Sequence, residues 1–561
     1  KDPRIQSTEL LLQEQIPQAE TIQKTREVKV SARGKSAEGI NMGPWRAETN
    51  RPTRSVHVVS NGELRMLMTD SGSGYLEWGD IALTRWRKDA TLDPWGIWYY
   101  LKNMDSGNTF SVGRRPILTG EQEYRVIFAP HLVEIRHVVD NIRVVMQTTI
   151  TPKEDVCIQK LSITNDSNKT LHYKVMSYGE VVLAPQSTDK QHPAFNKMFI
   201  ESSYQADLKM LHFQRRKRSS DEKPRGMGHL LYDELDGDIE YQGDREKFLG
   251  RGHSVADPVA IESGGSLDGT VGVTLDPIFS IGKQIELKPN QTVHLTYLTI
   301  PAESLEDVKS TARKYQNPTM INNAFTSAES RSEKLLRSLE LETDKLSKYQ
   351  ELLSSVIYPI PELRPKPALL AKNDLGQPGL WSFGISGDYP ILLVMIDRQG
   401  EIKALQETLL AHTYWRKLGL MIDLVILNTK DVGYTHELNE QIHHAINVME
   451  SQSWVNQRGG IFVLTASQME KDALILLKTT ASVVIDFKTD DLEGHLKKAQ
   501  AIEPQLPAFV PTNPDLEYQV TEALQRPDNL VLDNEIGGFT EDGREYHIFL
   551  EDSPQLSHQA G

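Results

Sequence analysis

Across residues 55–300 the chain repeats one pattern: a short run of alternating apolar and polar side chains, closed by a turn, with no helical run between. Val56-His57-Val58-Val59 leads into Asn61-Gly62, a dipeptide suited to the positive φ angles of a two-residue hairpin, and Leu64-Arg65-Met66-Leu67-Met68 resumes the strand. Farther on, Ile142, Val144 and Met146 alternate with Arg143, Val145 and Gln147, and Leu171, Tyr173 and Val175 alternate with His172, Lys174 and Met176. Successive strand side chains point to opposite faces, so this period of two marks sheets with one face turned to a core. Turns such as Asn165-Asp166-Ser167-Asn168 separate the runs. Many strands without crossover helices specify a large antiparallel sandwich rather than a βαβ fold. The last strand is expected at 292–300, before Pro301.

The grammar then changes twice. Ser304-Leu305-Glu306-Asp307 opens a charged helix to about residue 315, and a long helix is expected over 324–353. Pro359, Pro361, Pro365 and Pro367 break the chain, since proline can neither donate a backbone hydrogen bond nor sit inside a helix. From 389 to 500, apolar runs at 391–396, 424–427, 461–464 and 482–485 alternate with helical spacing such as Leu405, Leu409, Tyr414 and Leu418. That alternation predicts a parallel sheet covered by helices.

The expected fold class is therefore multidomain β plus α/β. It comprises an N-terminal connector (1–54, with a short element at 9–16 and a loop at 34–52), a β-supersandwich (55–300), a helical and Pro-rich linker (301–388), a smaller α/β domain (389–500) and a C-terminal connector (501–561). In the last, Asp533–Phe539 and Asp542–Tyr546 read as the start of a further β unit.

Charge and cysteine narrow the function classes. The formal net charge is −15, which argues against nucleic acid as a partner, because phosphate binding needs clustered Lys and Arg. It suits a neutral ligand. The single cysteine, Cys157, rules out an intrachain disulfide and sits in an apolar strand, the setting of an inert buried thiol. No apolar stretch approaches the ~20 residues that span a bilayer, so no direct membrane insertion is expected. The opening Lys1-Asp2-Pro3-Arg4 reads as that of an excised segment.

A set of motifs carries a resemblance. Asn61-Gly62-Glu63-Leu64, Asp70-Ser71-Gly72-Ser73-Gly74-Tyr75, Thr84-Arg85-Trp86-Arg87 and Asp93-Pro94-Trp95-Gly96 stand in order, followed by His192-Pro193-Ala194-Phe195, Phe248-Leu249-Gly250-Arg251-Gly252 and Leu275-Asp276-Pro277-Ile278-Phe279-Ser280. Gly379-Leu380-Trp381-Ser382-Phe383-Gly384-Ile385-Ser386-Gly387-Asp388 and Gly537-Gly538-Phe539 complete the set. Together they resemble the β-supersandwich of the cellobiose phosphorylase family, in the form it takes inside cyclic β-1,2-glucan synthases. The resemblance implies a large parent at the cytoplasmic side of a bacterial inner membrane that makes glucose polymers from UDP-glucose, closes them into rings and trims them. It also implies that phosphorolysis belongs to an (α/α)₆ barrel, for which the helical stretch at 304–353 is too short. The expected role is an accessory, carbohydrate-binding or scaffolding region without a catalytic centre, cofactor or metal, partnered by a β-glucan chain and the parent's other domains.

Within that reading, Trp78, Trp86, Trp95 and Trp98, with Tyr99 and Tyr100, are candidates to stack on sugar C–H faces, and Asp80, Arg85, Arg87, Asp89 and Asp93 to bond hydroxyls. The competing role for the aromatics is sandwich core. Ser71-Gly72-Ser73-Gly74 reads as a tight turn before an anion cradle, since no Lys-Ser/Thr follows. His436, Glu440, His443 and His444 have helical spacing but not the His-Glu-x-x-His pattern, so a solvated face is expected rather than zinc. Arg215-Arg216-Lys217-Arg218 reads as a solvated loop, with docking of an acidic partner as the alternative. Two other functions stay open: an independent mutarotase-like or lyase-like enzyme using His131, His137, His172, Glu180 or His192, and a nucleotide-binding α/β module. The turn after the first parallel strand, Asp397-Arg398-Gln399-Gly400, lacks the glycine fingerprint the latter needs, and Asn428 and Asp431 read as helix caps.

Overall fold

The computed structural model describes residues 43–500, apart from 48, 50–52, 120–122, 236, 263–265 and 431–434, and then 526–534 and 537–548. The elements expected at 9–16 and over most of 34–52, and the cap at Asp431, lie outside these residues.

The alternating runs build two antiparallel sheets. The first has ten strands and centres on Ile142–Ile150, Cys157–Asn165 and Thr292–Ala302. The second has nine and centres on the long strand Leu171–Ala184, flanked by Pro277–Leu287 and by Trp98–Asn103 and Ile81–Thr84. Ile142, Val144 and Met146 face the core between the sheets together with Tyr173, Val175, Phe279, Leu295 and Tyr297. Cys157 lies in this core, where burial pushes its thiol up to about 12, so it is an inert apolar filler.

The second sheet is covered on its outer face as well, which alternation does not announce. Trp98, Tyr100, Met176, Tyr178 and Ile278 pack there under Phe248 and Leu249 of helix Arg245–Leu249 and under Ile261. Lys174, expected to point to solvent, is buried against Glu240 at 2.6 Å. The outer face of the first sheet is covered by helix Leu305–Tyr315, capped by Ser304 as its sequence predicts, and by Ile321 and Ala324 of the next helix.

That next helix is a correction. The single helix expected over 324–353 is two, Pro318–Ser338 and Thr343–Ile357. The first starts earlier, where Asn317 caps the chain and Pro318 occupies the first turn, a start signal present in the sequence. The break at 339–342 has no glycine or proline. It exists because Leu336 and Leu341 both enter the core below, which drives Glu340 to φ 51°.

Helix Thr343–Ile357 bridges the two halves. Val56, Val58, Leu67, Tyr75 and Trp86 of the sandwich, Tyr349, Leu352 and Val356 of the helix, and Leu392, Val394 and Leu424 of the parallel sheet form one continuous apolar cluster. Ser354 Oγ accepts from the Val56 backbone N–H at 2.8 Å, closing the edge of strand Val56–Ser60. The parallel sheet has the order Ile461–Thr465, Asp423–Asn428, Ile391–Ile396, Val483–Asp486, with all four strands where the apolar runs place them. Gly537–Phe539 and Tyr546–Ile548 form a separate hairpin. Among the described residues no helix is long and apolar enough to cross a membrane.

Candidate functional site

The aromatic segment at 75–100 divides between interior and surface. Trp98 is buried, with its indole N–H donating to the Pro94 carbonyl at 3.2 Å. Trp86 stacks on Tyr75 at 5.0 Å and meets Tyr358 edge-on, inside the joint between sandwich and bridging helix. Tyr99 and Tyr100 are buried. Trp78 is half-buried and donates to Asp155 at 2.8 Å. Of the set proposed for sugar, Asp80 and Arg87 are exposed, and Trp95 is half-buried with the Arg87 guanidinium 5.6 Å over its ring. Trp86, Trp98, Arg85 and Asp93 are turned inward, because each completes a packing or charge requirement of the sandwich.

The turn at 71–74 is filled from within. Gly72 N–H donates to the Thr69 carbonyl and Gly74 N–H to the Trp95 carbonyl, both at 3.1 Å, so these amides are not turned to an anion. Gly74 has φ 152°, and a Cβ there would meet the Leu67 carbonyl at 1.9 Å. Only glycine fits.

Beside this turn Asp93, a candidate for sugar hydroxyls, is buried instead together with Asp70, a pairing the sequence did not announce. Asp93, itself at φ 48°, accepts from Ser71 Oγ at 2.5 Å, from Thr69 Oγ1 at 3.0 Å and from the Tyr358 hydroxyl at 3.2 Å, with Arg54 at 3.5 Å. Asp70 accepts from the Ser55 N–H at 2.9 Å. Burial raises the Asp70 carboxyl from 3.8 to about 7, with Arg54 offsetting part of the effect. The folded chain therefore holds this proton at pH values where the unfolded chain has lost it, and stability falls as pH rises from about 4 to about 7. Asp70→Asn, which mimics the protonated form, is expected to flatten that slope and to gain roughly 4 kcal/mol at pH 8 relative to the parent, with no gain below pH 4. Chemical denaturation across this pH range checks it; equal gains at pH 4 and pH 8 would contradict the assignment.

Arg85 and Glu180 meet in a second buried cluster on the outer face of the second sheet. Arg85 grips Asp189 through Nε and Nη2 at 2.9 and 2.7 Å and Glu180 through Nη1 at 2.6 Å. Glu180 also accepts from Arg245 at 2.9 Å and from the Tyr178 hydroxyl at 3.0 Å, while Lys197 pairs with Asp276 at 2.7 Å. Three cations thus balance three carboxylates. Burial opposes ionisation of Glu180, but Arg85 and Arg245 outweigh it and hold the carboxyl below its ordinary value. Asp276 goes the other way: burial raises it, and Lys197 offsets only part. Asp189, Lys197 and Arg245 were not legible as members, because they stand on three separate short helices.

The other candidates do not converge. His137 is buried between the Ser111 carbonyl and Thr119, His172 pairs with Asp105 at the surface, His192 is exposed and His131 half-buried. His436 and Glu440 are solvated at 4.0 Å, and among the described residues no group of three or more His, Cys, Asp or Glu side chains is placed to hold a metal ion. The basic run is only partly a solvated loop. Arg215 is buried against Asn196 at 2.6 Å, because it ends a sheet strand, and Arg218 lies over Phe195 and Phe199. At the carboxyl end of the parallel sheet, the Asp397 and Arg398 N–H groups both donate to Glu401, and Asp397 pairs with Lys488 at 3.0 Å. A carboxylate of the chain itself thus takes up the first two amides after this strand.

Residues 44–318 match the family described as glycosyl hydrolase 94, supersandwich domain. Over 99% of its length the chain is 26% identical to the cyclic beta-(1,2)-glucan synthase NdvB of Rhizobium meliloti, of which it covers 20%. Over 38% of its length it is 24% identical to the N,N'-diacetylchitobiose phosphorylase of Vibrio proteolyticus, covering 26% of that protein. The chain therefore spans about a fifth to a quarter of the curated relatives it matches. A solved bacterial glucoamylase in complex with acarbose overlays 58% of this chain and 42% of its own, at 9% identity and a TM-score of 0.35.

Proposed function

We propose, from the premise that residues 44–318 are a glycosyl hydrolase 94 supersandwich domain in a carbohydrate-active protein, that this chain is an accessory region of a glucan-processing enzyme. It positions β-1,2-linked glucan and braces neighbouring domains, and it has no catalytic centre of its own. The similarity to a cyclic glucan synthase along nearly the whole chain supports the substrate class. We place it, as the motif resemblance implies, at the cytoplasmic face of the inner membrane as part of a larger membrane protein.

The observation that carries the accessory reading is the state of Glu180. General acid–base work on a sugar needs a carboxyl that can reach its substrate and exchange a proton near neutral pH. Glu180 is buried, both its oxygens are engaged by arginines, and its pKa is held down. The histidines that would accompany it stand apart.

The test is direct. With the chain at high concentration, fresh α-glucose should reach its equilibrium rotation no faster than in buffer, and β-1,2-glucan should yield no unsaturated product absorbing in the ultraviolet. Either activity, lost in Glu180→Gln, would establish the enzyme in place of the accessory region.

A further inference from the structure

The segment 376–388 joins the linker to the first parallel strand and is built to present one ring. Gln377–Phe383 forms a short 3₁₀ turn. Leu380 and Ile385 are fully buried in the lower core of the α/β domain, beside Leu393, Val425 and Phe462. Gly379 lies so close to helix Lys471–Thr480 that a Cβ would meet Leu476 at 2.6 Å. Gly384 and Gly387, at φ 73° and 75°, turn the chain back. Between these anchors Trp381 stands 61% exposed. An exposed indole on an anchored turn is unusual, because apolar area of that size is ordinarily buried.

Its surroundings are polar and joined by contacts. The Trp381 N–H donates to the Ser386 carbonyl at 3.3 Å, and Gln377 Nε2 donates to the same carbonyl at 2.7 Å. Gln377 also donates to Asp388 Oδ1 at 3.2 Å, and Arg458 donates to Asp388 Oδ2 at 2.5 Å. The Arg458 guanidinium then lies 5.4 Å over the Tyr389 ring. One flat apolar face is thus continuous with an amide, a carboxylate and a guanidinium.

We infer that Trp381, with Gln377, Asp388 and Arg458, is a glucan subsite: the indole face stacks on the C–H face of a glucosyl ring while the polar side chains bond its hydroxyls. This rests on the accessory reading and adds its point of contact. A protein-docking anchor would call for a broader apolar surround, whereas Leu380 and Ile385 of this turn are turned into the core and the indole N–H shares the Ser386 carbonyl with Gln377, itself bonded to Asp388. A polyanionic ligand is disfavoured by the acidic chain and by Asp388. The ring is already fixed, so binding orders little of the protein.

The experiment is calorimetric titration of the whole chain, Trp381→Ala and Asp388→Asn with linear β-1,2-glucan at low and high salt, alongside the chain's tryptophan fluorescence. The expected result is binding that varies little with salt, a fluorescence change absent in Trp381→Ala, and at least a tenfold loss of affinity in Trp381→Ala at unchanged melting temperature. Asp388→Asn should weaken binding less. Equal affinity in the parent and Trp381→Ala would overturn the subsite, and so would no binding by the parent. Equal affinity in the two chains leaves the accessory reading standing with its glucan contact elsewhere, whereas no binding by the parent also removes glucan positioning from that reading; the absence of turnover is tested separately.

Discussion

Arg85→Met is expected to destabilise the chain by about 3–5 kcal/mol, because it leaves Glu180 and Asp189 buried without their shared counterion. The loss is of pairing more than packing, since methionine fills much of the same volume. The pH dependence identifies the cause. Glu180 is held below its ordinary value of 4.5 in the folded chain, so its contribution is present above that pH and fades as pH falls through its folded value. In the variant that stabilisation is missing. The gap between parent and variant should therefore be full at pH 7 and narrow as pH falls through the folded value of Glu180, where its carboxyl protonates. Adding Glu180→Gln and Asp189→Asn should recover part of the loss at pH 7. A pH-independent gap that the added substitutions do not reduce would place the damage in packing.

Trp86→Ala should cost a similar 3–5 kcal/mol, from lost burial and the cavity left behind. The ring lies between Tyr75 on the sandwich and Tyr358 at the end of the bridging helix, so the cavity opens in the joint itself. The loss should reach both halves, lowering the stability of the parallel-sheet domain as well as the sandwich. Trp95→Ala, whose ring is half-buried under Arg87, should lose clearly less. Thermal unfolding of the two variants side by side checks this. A Trp86→Ala chain as stable as its parent would show that the ring is not core.

Much of the architecture could be read from the chain. The period of two placed Ile142, Val144 and Met146 on the core face, and the apolar runs placed all four parallel strands, because these signals depend only on local spacing. What could not be read depends on long-range closure. Lys174 alternates like a surface residue, yet helix Arg245–Leu249 covers its sheet face and Glu240 pairs with it. The helix break at Glu340 follows from where Leu336 and Leu341 are drawn, not from a breaker residue. At the candidate site the tryptophans were visible as a cluster, but which face each took depended on the bridging helix packing over Trp86. Trp381 was seen only as part of a motif, because exposure is a property of the fold.

The central claim is that this region handles glucan without acting on it. Its most direct test is to incubate the purified chain with β-1,2-glucan and inorganic phosphate and to measure glucose 1-phosphate and new reducing ends. The account predicts neither above the buffer control, with the glucan recovered at its original length. Sustained release of glucose 1-phosphate that survives repurification and disappears in Glu180→Gln would contradict it.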